Sequence, residues 1–216
     1  MNQRRAWLER RTRIEGLRQA GVAILVLLGL SCVAIDVPVE ITPETLPPEI
    51  EGARWQDTPV RYCVSPVDGG FASPVDLAAS VEDVFRRWGI ATVNDGACDG
   101  DPISGNGRNE IGWGEPPDQG DGLHAAGYTR LLFQSCAGGC GGGSETQVVE
   151  ADVFVHPDPP GPLRSDRCLA ATLLHETGHF LGLPHLESPA VMAPVSRDCP
   201  RELTEADREA IRALYS

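Results

Sequence analysis

Three of the chain's five histidines fall within eleven residues, His175-Glu176-Thr177-Gly178-His179-Phe180-Leu181-Gly182-Leu183-Pro184-His185. That spacing restricts the local fold more than anything else in the sequence. His175 and His179 are four residues apart, so on a helix they share one face and can aim two imidazoles at one metal. Glu176 lies beside them, placed to take a proton without acting as a ligand. Gly182 can adopt the left-handed conformation that ends a helix, and Pro184 cannot continue one. The chain is therefore predicted to turn after Leu181 and bring His185 back as a third ligand. Three histidines leave one coordination position open for water, the arrangement of a catalytic rather than a structural zinc site.

The stretch His175 to His185 resembles the zinc signature of the metzincin metallopeptidases, and Met192, after Val191, resembles the methionine of their Met-turn. Leu203-Thr204-Glu205-Ala206-Asp207 through Ile211, Leu214 and Tyr215 is similar to the last helix of matrixins, the matrix-metalloproteinase branch. Trp55 and Pro59-Val60-Arg61-Tyr62 resemble the first strand of that domain. Asn109-Glu110-Ile111-Gly112-Trp113 and Glu150-Ala151-Asp152-Val153-Phe154 resemble two later strands of secreted bacterial matrixin-like enzymes. The resemblance runs from about Gly52 to Ser216. It implies an α+β, zincin-like domain: a twisted mixed sheet with an edge strand for substrate, a zinc-binding helix and a C-terminal helix. It also implies one catalytic zinc on His175, His179 and His185, with Glu176 as general base in peptide-bond hydrolysis and Met192 as an apolar floor beneath the metal. The segment Pro194-Val195-Ser196 would wall the pocket for the side chain after the cut, although matrixins usually carry a tyrosine where Ser196 stands. The cysteine-bearing pro-segment motif of matrixins is absent from residues 36–52, so the enzyme is either made active or blocked by another route.

The first eighteen positions hold six arginines (Arg4, Arg5, Arg10, Arg11, Arg13, Arg18), and the apolar run Ala20 to Ile35 follows. A basic segment, an apolar segment and small residues near its end predict an export signal over residues 1–35, with an uncleaved membrane anchor as the alternative. Cys32 after Leu30-Ser31 resembles a lipoprotein cleavage site, and Cys32-Val33-Ala34 fits an ordinary small-x-small site equally. From Asp36 onward 29 acids face 12 arginines, a balance of −17, and lysine is absent throughout. No basic stripe remains to attract nucleic acid or an anionic membrane surface. The expected partner is a protein or peptide substrate, met by a monomer that is secreted or tethered outside a membrane through its N-terminus.

Cysteine usage agrees with export. Setting Cys32 aside leaves six, which in an exported chain suggests three disulfides drawn from fifteen connectivities. The expected set is Cys63 with Cys98, Cys136 with Cys140, and Cys168 with Cys199.

Residues 36–52 are rich in proline and acid and read as an extended tether or a short pro-segment, ahead of a catalytic domain over 53–216. Val60 to Val64 reads as a strand. A helix starts at Ser73-Pro74, buries Leu77, Val81, Val84, Phe85 and Trp88, and stops at Gly89. Asn94 to Arg108 reads as a loop in which Asp95, Asp99 and Asp101 are candidate calcium ligands, though their spacing fits no EF-hand. Glu110 to Trp113, Tyr128 to Gln134 and Val148 to His156 read as strands. The family resemblance makes the last of these the edge strand for substrate. Ser165 or Asp166 caps the zinc helix, and Thr204 with Asp207 caps the final one. His124 and His156 lack a ligand spacing and are taken as ordinary polar residues. The rival to an enzyme is an exported, surface-tethered binding module that retains the metzincin shell; loss of Glu176 or of a histidine would point there, and none is lost.

Overall fold

The computed structural model describes residues 33–37, 52–115, 126–135, 146–159, 161–194 and 199–216. Six strands, β1 (Val33–Val37), β2 (Val60–Val64), β3 (Thr92–Ala97), β4 (Glu110–Trp113), β5 (Gly127–Ser135) and β6 (Thr146–Val155), join in one sheet. Three helices accompany them: α1 (Pro74–Trp88), α2 (Asp166–Phe180) and α3 (Glu205–Tyr215). The sheet order is β1-β5-β6-β4-β2-β3. The inner pairs β2–β3, β2–β4 and β4–β6 are parallel, while β5 runs antiparallel to both β6 and β1. This is a mixed sheet with helices, the α+β architecture expected from the sequence.

Helix α1 forms where the sequence predicts. Ser73 caps it by accepting the Asp76 N–H at 3.2 Å, Pro74 occupies the first turn, and Gly89 closes it. Its five buried residues are Leu77, Val81, Val84, Phe85 and Trp88, the face the periodicity picks out. Phe85 meets Tyr62 of β2 at 4.8 Å and Phe180 of α2 at 5.2 Å between ring centroids, so one side chain joins sheet to both helices. Trp88 donates its indole N–H to Leu174 O at 3.0 Å and Thr177 Oγ1 at 3.1 Å, fixing α1 against the middle of α2. An indole buried this deeply needs such a partner.

Two strand assignments differ from the sequence reading. Residues 94–97 belong to β3 rather than to a loop, because Thr92, Val93 and Asn94 pair in parallel with Val60, Arg61 and Tyr62. The polar run Thr-Val-Asn-Asp-Gly-Ala carries no alternation to reveal it, and backbone pairing decides. The segment Val148 to His156 is not an edge: the strand beside the histidine helix is β5, which lies between β6 and β1. Strand β6 lies between β5 and β4 and is buried almost continuously from Glu150 to Val155. Glu150 and Asp152 interrupt the apolar run that a strand covered on both faces usually shows, whereas β5 alternates buried and half-buried residues.

Cys63–Cys98 and Cys168–Cys199 are disulfides with Cα separations of 5.1 and 4.9 Å, as expected. Cys136 and Cys140 lie outside the described residues, as do His124, Ser196 and most of residues 1–52, where the sequence suggests an export signal and a tether. Strand β1 straddles the expected boundary at residue 35. Among the described residues no helix is long and apolar enough to cross a membrane.

Candidate metal centre

Ser165 caps α2 by accepting the Cys168 N–H at 3.3 Å, and the helix then carries His175, Glu176 and His179 before ending at Phe180. Gly182 follows with φ of +96°, and a methyl group there would overlap the Ala53 carbonyl oxygen. Only glycine combines that turn with that approach. The reversal brings His185 to the other two histidines, with ring centroids 4.8 Å from His179 and 5.4 Å from His175. One nitrogen from each of the three rings lies within 4.8 Å of the others.

The surroundings fix which nitrogens face inward. His175 Nδ1 lies 2.7 Å from Val191 O, and His179 Nδ1 lies 2.8 Å from Leu183 O. A carbonyl oxygen only accepts, so each Nδ1 carries the proton and leaves its Nε2 with a lone pair in the neutral ring. The two Nε2 atoms sit 3.1 Å apart. His185 Nε2 is buried and has no hydrogen-bond partner in the protein. Burial, then the charges of His175 and His185, pushes the His179 pKa well below its ordinary value. Burial and His175 push that of His185 down to about 4. Three imidazole nitrogens this close together suit a cation such as zinc, and the orphaned Nε2 of His185 is the observation that such an ion would account for.

Glu176 is buried beside this cluster. Burial raises its pKa, opposed by His175 and by the hydroxyl of Thr129. Thr129 Oγ1 lies 2.8 Å from Glu176 Oε2 and 3.0 Å from the Glu176 carbonyl, so β5 passes directly over the start of the cluster. Sequence reading missed Thr129. Its only signal is the alternation that places it on the same face of β5 as Leu131 and Phe133.

Met192 is completely buried. It packs beneath α2 at Gly178, where a methyl group would overlap Met192 Sδ and come within 2.8 Å of Trp88 Cζ2. The helix therefore lies close on a sulfur-bearing floor between its two histidines.

The family model described as matrixin matches residues 54–216. The chain belongs to the matrixin family. No curated protein matches it. The matrixin family is one of metallopeptidases that use zinc, and the histidine triad of this matrixin suits that ion.

The remaining candidates are accounted for otherwise. Asp95 pairs with Arg61, Asp99 with Arg108 at 2.5 Å, and Asp101 accepts from Ser65 Oγ at 2.9 Å, so the three candidate calcium carboxylates have separate protein partners. His156 accepts the Asp158 N–H at 3.0 Å. Glu110, Glu150 and Asp152 are buried and hold the 103–107 loop: Ile103 N–H donates to Glu110 at 2.8 Å, and Gly105 and Gly107 N–H groups donate to Glu150.

Proposed function

We propose that this matrixin is a zinc-dependent endopeptidase in which His175, His179 and His185 hold the metal and Glu176 moves the proton. The convergence of three histidine nitrogens, one of them buried and orphaned, carries the reading. When bound, zinc polarises the scissile carbonyl and lowers the pKa of a water to about 7. Glu176 accepts the proton of the attacking water and delivers it to the leaving amine. Its raised pKa suits both halves of that task, since a carboxyl that titrates nearer neutrality gives up a proton as readily as it takes one. Val191 O and Leu183 O orient His175 and His179. Thr129 holds the Glu176 carboxyl in place.

The substrate is an extended polypeptide lying along β5 on the side away from β6, where β1 pairs only with Leu131 to Ser135. Residues 1–35 direct export or anchor the chain, residues 36–52 tether or precede the catalytic domain, and 53–216 form it. The Cys63–Cys98 and Cys168–Cys199 bridges suit an oxidising compartment outside the cytosol. Retention of Glu176 within hydrogen-bond reach of Thr129 favours an enzyme over a binding module that keeps only the shell.

The test is hydrolysis of quenched-fluorescence peptide mixtures by the purified chain, with metal analysis alongside. Cleavage that stops with a chelator and returns with zinc is expected. A chain that holds one zinc and cleaves no peptide or protein would refute the assignment.

A further inference from the structure

Strand β5 meets the catalytic machinery at its beginning. A methyl group on Gly127 would lie 3.2 Å from Glu176 Cγ, and Thr129 reaches the Glu176 carboxyl. One side of β5 is hydrogen-bonded to β6 along its length, from Gly127 opposite Val155 to Ser135 opposite Thr146. A peptide that adds to β5 can therefore use only the opposite side. The chain's own N-terminal strand occupies that side. Val33 pairs with Ser135, Ala34 with Gln134, Ile35 with Phe133, Asp36 with Leu132 and Val37 with Leu131.

The register matters more than the contact. Val37 stands opposite Leu131, two residues beyond Thr129, and two residues of strand cover roughly 7 Å. Strand β1 thus covers the edge up to the threshold of the site. Because it runs antiparallel to β5, its C-terminal end is the end nearest Glu176. An extended substrate gripped over three or four residues on that side of the cut needs the backbone groups of Leu131 to Phe133. The same groups cannot pair with two strands at once.

We propose that β1 is a self-inhibitory strand that must leave the β5 edge before a polypeptide substrate can bind. This rests on the peptidase reading above and on residues 33–37 staying joined to the domain, as an uncleaved anchor or a cut before Val33 leaves them, and it adds the regulation of that site. The motif by which other matrixins block their zinc through a cysteine is missing from residues 36–52. Here the block is competition for backbone hydrogen bonds and needs no metal ligand. An intramolecular strand is present at high effective concentration, so it weakens substrate binding while leaving the chemical step unchanged.

The experiment compares the intact 216-residue chain, made by cell-free synthesis under oxidising conditions and loaded with zinc, with its Ala34→Pro/Ile35→Pro variant. Successive residues of an antiparallel strand alternate in facing the neighbour, so one of the two prolines removes a donor that pairs with β5. Hydrogen exchange at Leu131 to Ser135, peptide-cleavage kinetics and inhibition by acetohydroxamate are measured. The proposal expects exchange at the outward amides of β5 to rise at least tenfold in the variant. It expects KM to fall several-fold with kcat unchanged, and acetohydroxamate, which reaches a metal without strand pairing, to inhibit both chains equally. Cleavage with equal KM and equal exchange overturns the proposal alone. Zinc-loaded chains that both fail to cleave overturn the peptidase reading and the proposal with it, whatever the exchange data show.

Discussion

Asp207 accepts the backbone N–H of Met192 at 3.1 Å, tying the first turn of α3 to the residue packed beneath the histidines. Its other oxygen takes the Val191 N–H at 3.0 Å, the Thr204 N–H at 2.8 Å and the Thr204 hydroxyl at 2.7 Å. One carboxylate therefore completes the α3 capping box and fixes the turn whose Val191 carbonyl orients His175. Asp207→Asn keeps the shape but cannot accept at both oxygens, and it should cost about 2–4 kcal/mol in urea unfolding at pH 7. Zinc affinity should fall with it. An unchanged midpoint would show the carboxylate to be dispensable.

The same residue sets a pH dependence. Burial alone would raise the Asp207 pKa, but the donors from Thr204, Val191 and Met192 bring it below its ordinary 3.8. A depressed carboxylate pKa adds stability that is present above the unfolded value and lost as pH falls through the folded one. Thermal unfolding of the wild type should weaken below about pH 4, and Asp207→Asn should flatten that acid limb.

Asp152 behaves in the opposite sense. Burial, with the neighbouring Glu150 charge, pushes its carboxyl up to about 7 against the hydrogen bond it accepts from the Glu110 N–H. A raised pKa means the folded protein binds the extra proton, so stability falls as pH climbs from the ordinary 3.8 towards 7. Asp152→Asn, neutral at every pH, should lack that decline. Unfolding midpoints at pH 4.5, 6 and 7.5 are the check, and parallel curves for the two proteins would discard the idea.

Removing the proton carrier proposed here, Glu176, should separate chemistry from metal binding. Glu176→Gln should lower kcat/KM by about a hundredfold or more while zinc content stays at one per chain. Thr129→Val should act more gently, because the lost hydroxyl stabilises the charged carboxylate. Its absence raises the Glu176 pKa further, so the acidic limb of the kcat/KM profile should move to higher pH, and Thr129→Ser should move it back. A profile indifferent to both substitutions would remove Thr129 from the site.

Gly178→Ala tests the packing between the two histidines of α2. The added methyl overlaps Met192 Sδ and crowds Trp88, so overpacking should cost about 1–3 kcal/mol despite the better helix propensity of alanine. Met192→Ala in the same chain should recover part of the loss. Additive effects of the two changes would indicate that Gly178 and Met192 do not press on each other.

The parts of this protein that the sequence discloses are those encoded by local rules. The four-residue spacing of His175 and His179, the turn at Gly182, the Ser73 cap with its five buried followers, and the Thr204–Asp207 box each need only a dozen neighbouring residues. The order of strands is different, since it depends on which apolar segments are covered twice. Glu150 to Val155 holds two acids and Gly127 to Ser135 an arginine, so neither reads as a pure apolar run, and pairing and burial decide their places in the sheet. Thr129 and Glu176 are 47 residues apart, and no local pattern brings them together. Strand β3 is hidden for another reason: its residues are polar, and β2 rather than a core specifies it.

A peptidase spends its life among active copies of itself. The Cys168–Cys199 bridge makes the intervening chain a covalent ring, and His175, Glu176, His179, His185 and Met192 are all strung on it. A single cut between His185 and Cys199 opens the ring without parting it, because both new ends remain joined through sulfur. The nicked molecule keeps α3, and Asp207 with it, tethered to the helix that bears the histidines. In a reducing environment the same nick would release everything after it. For this chain, an oxidising compartment would thus be the condition for surviving such a nick.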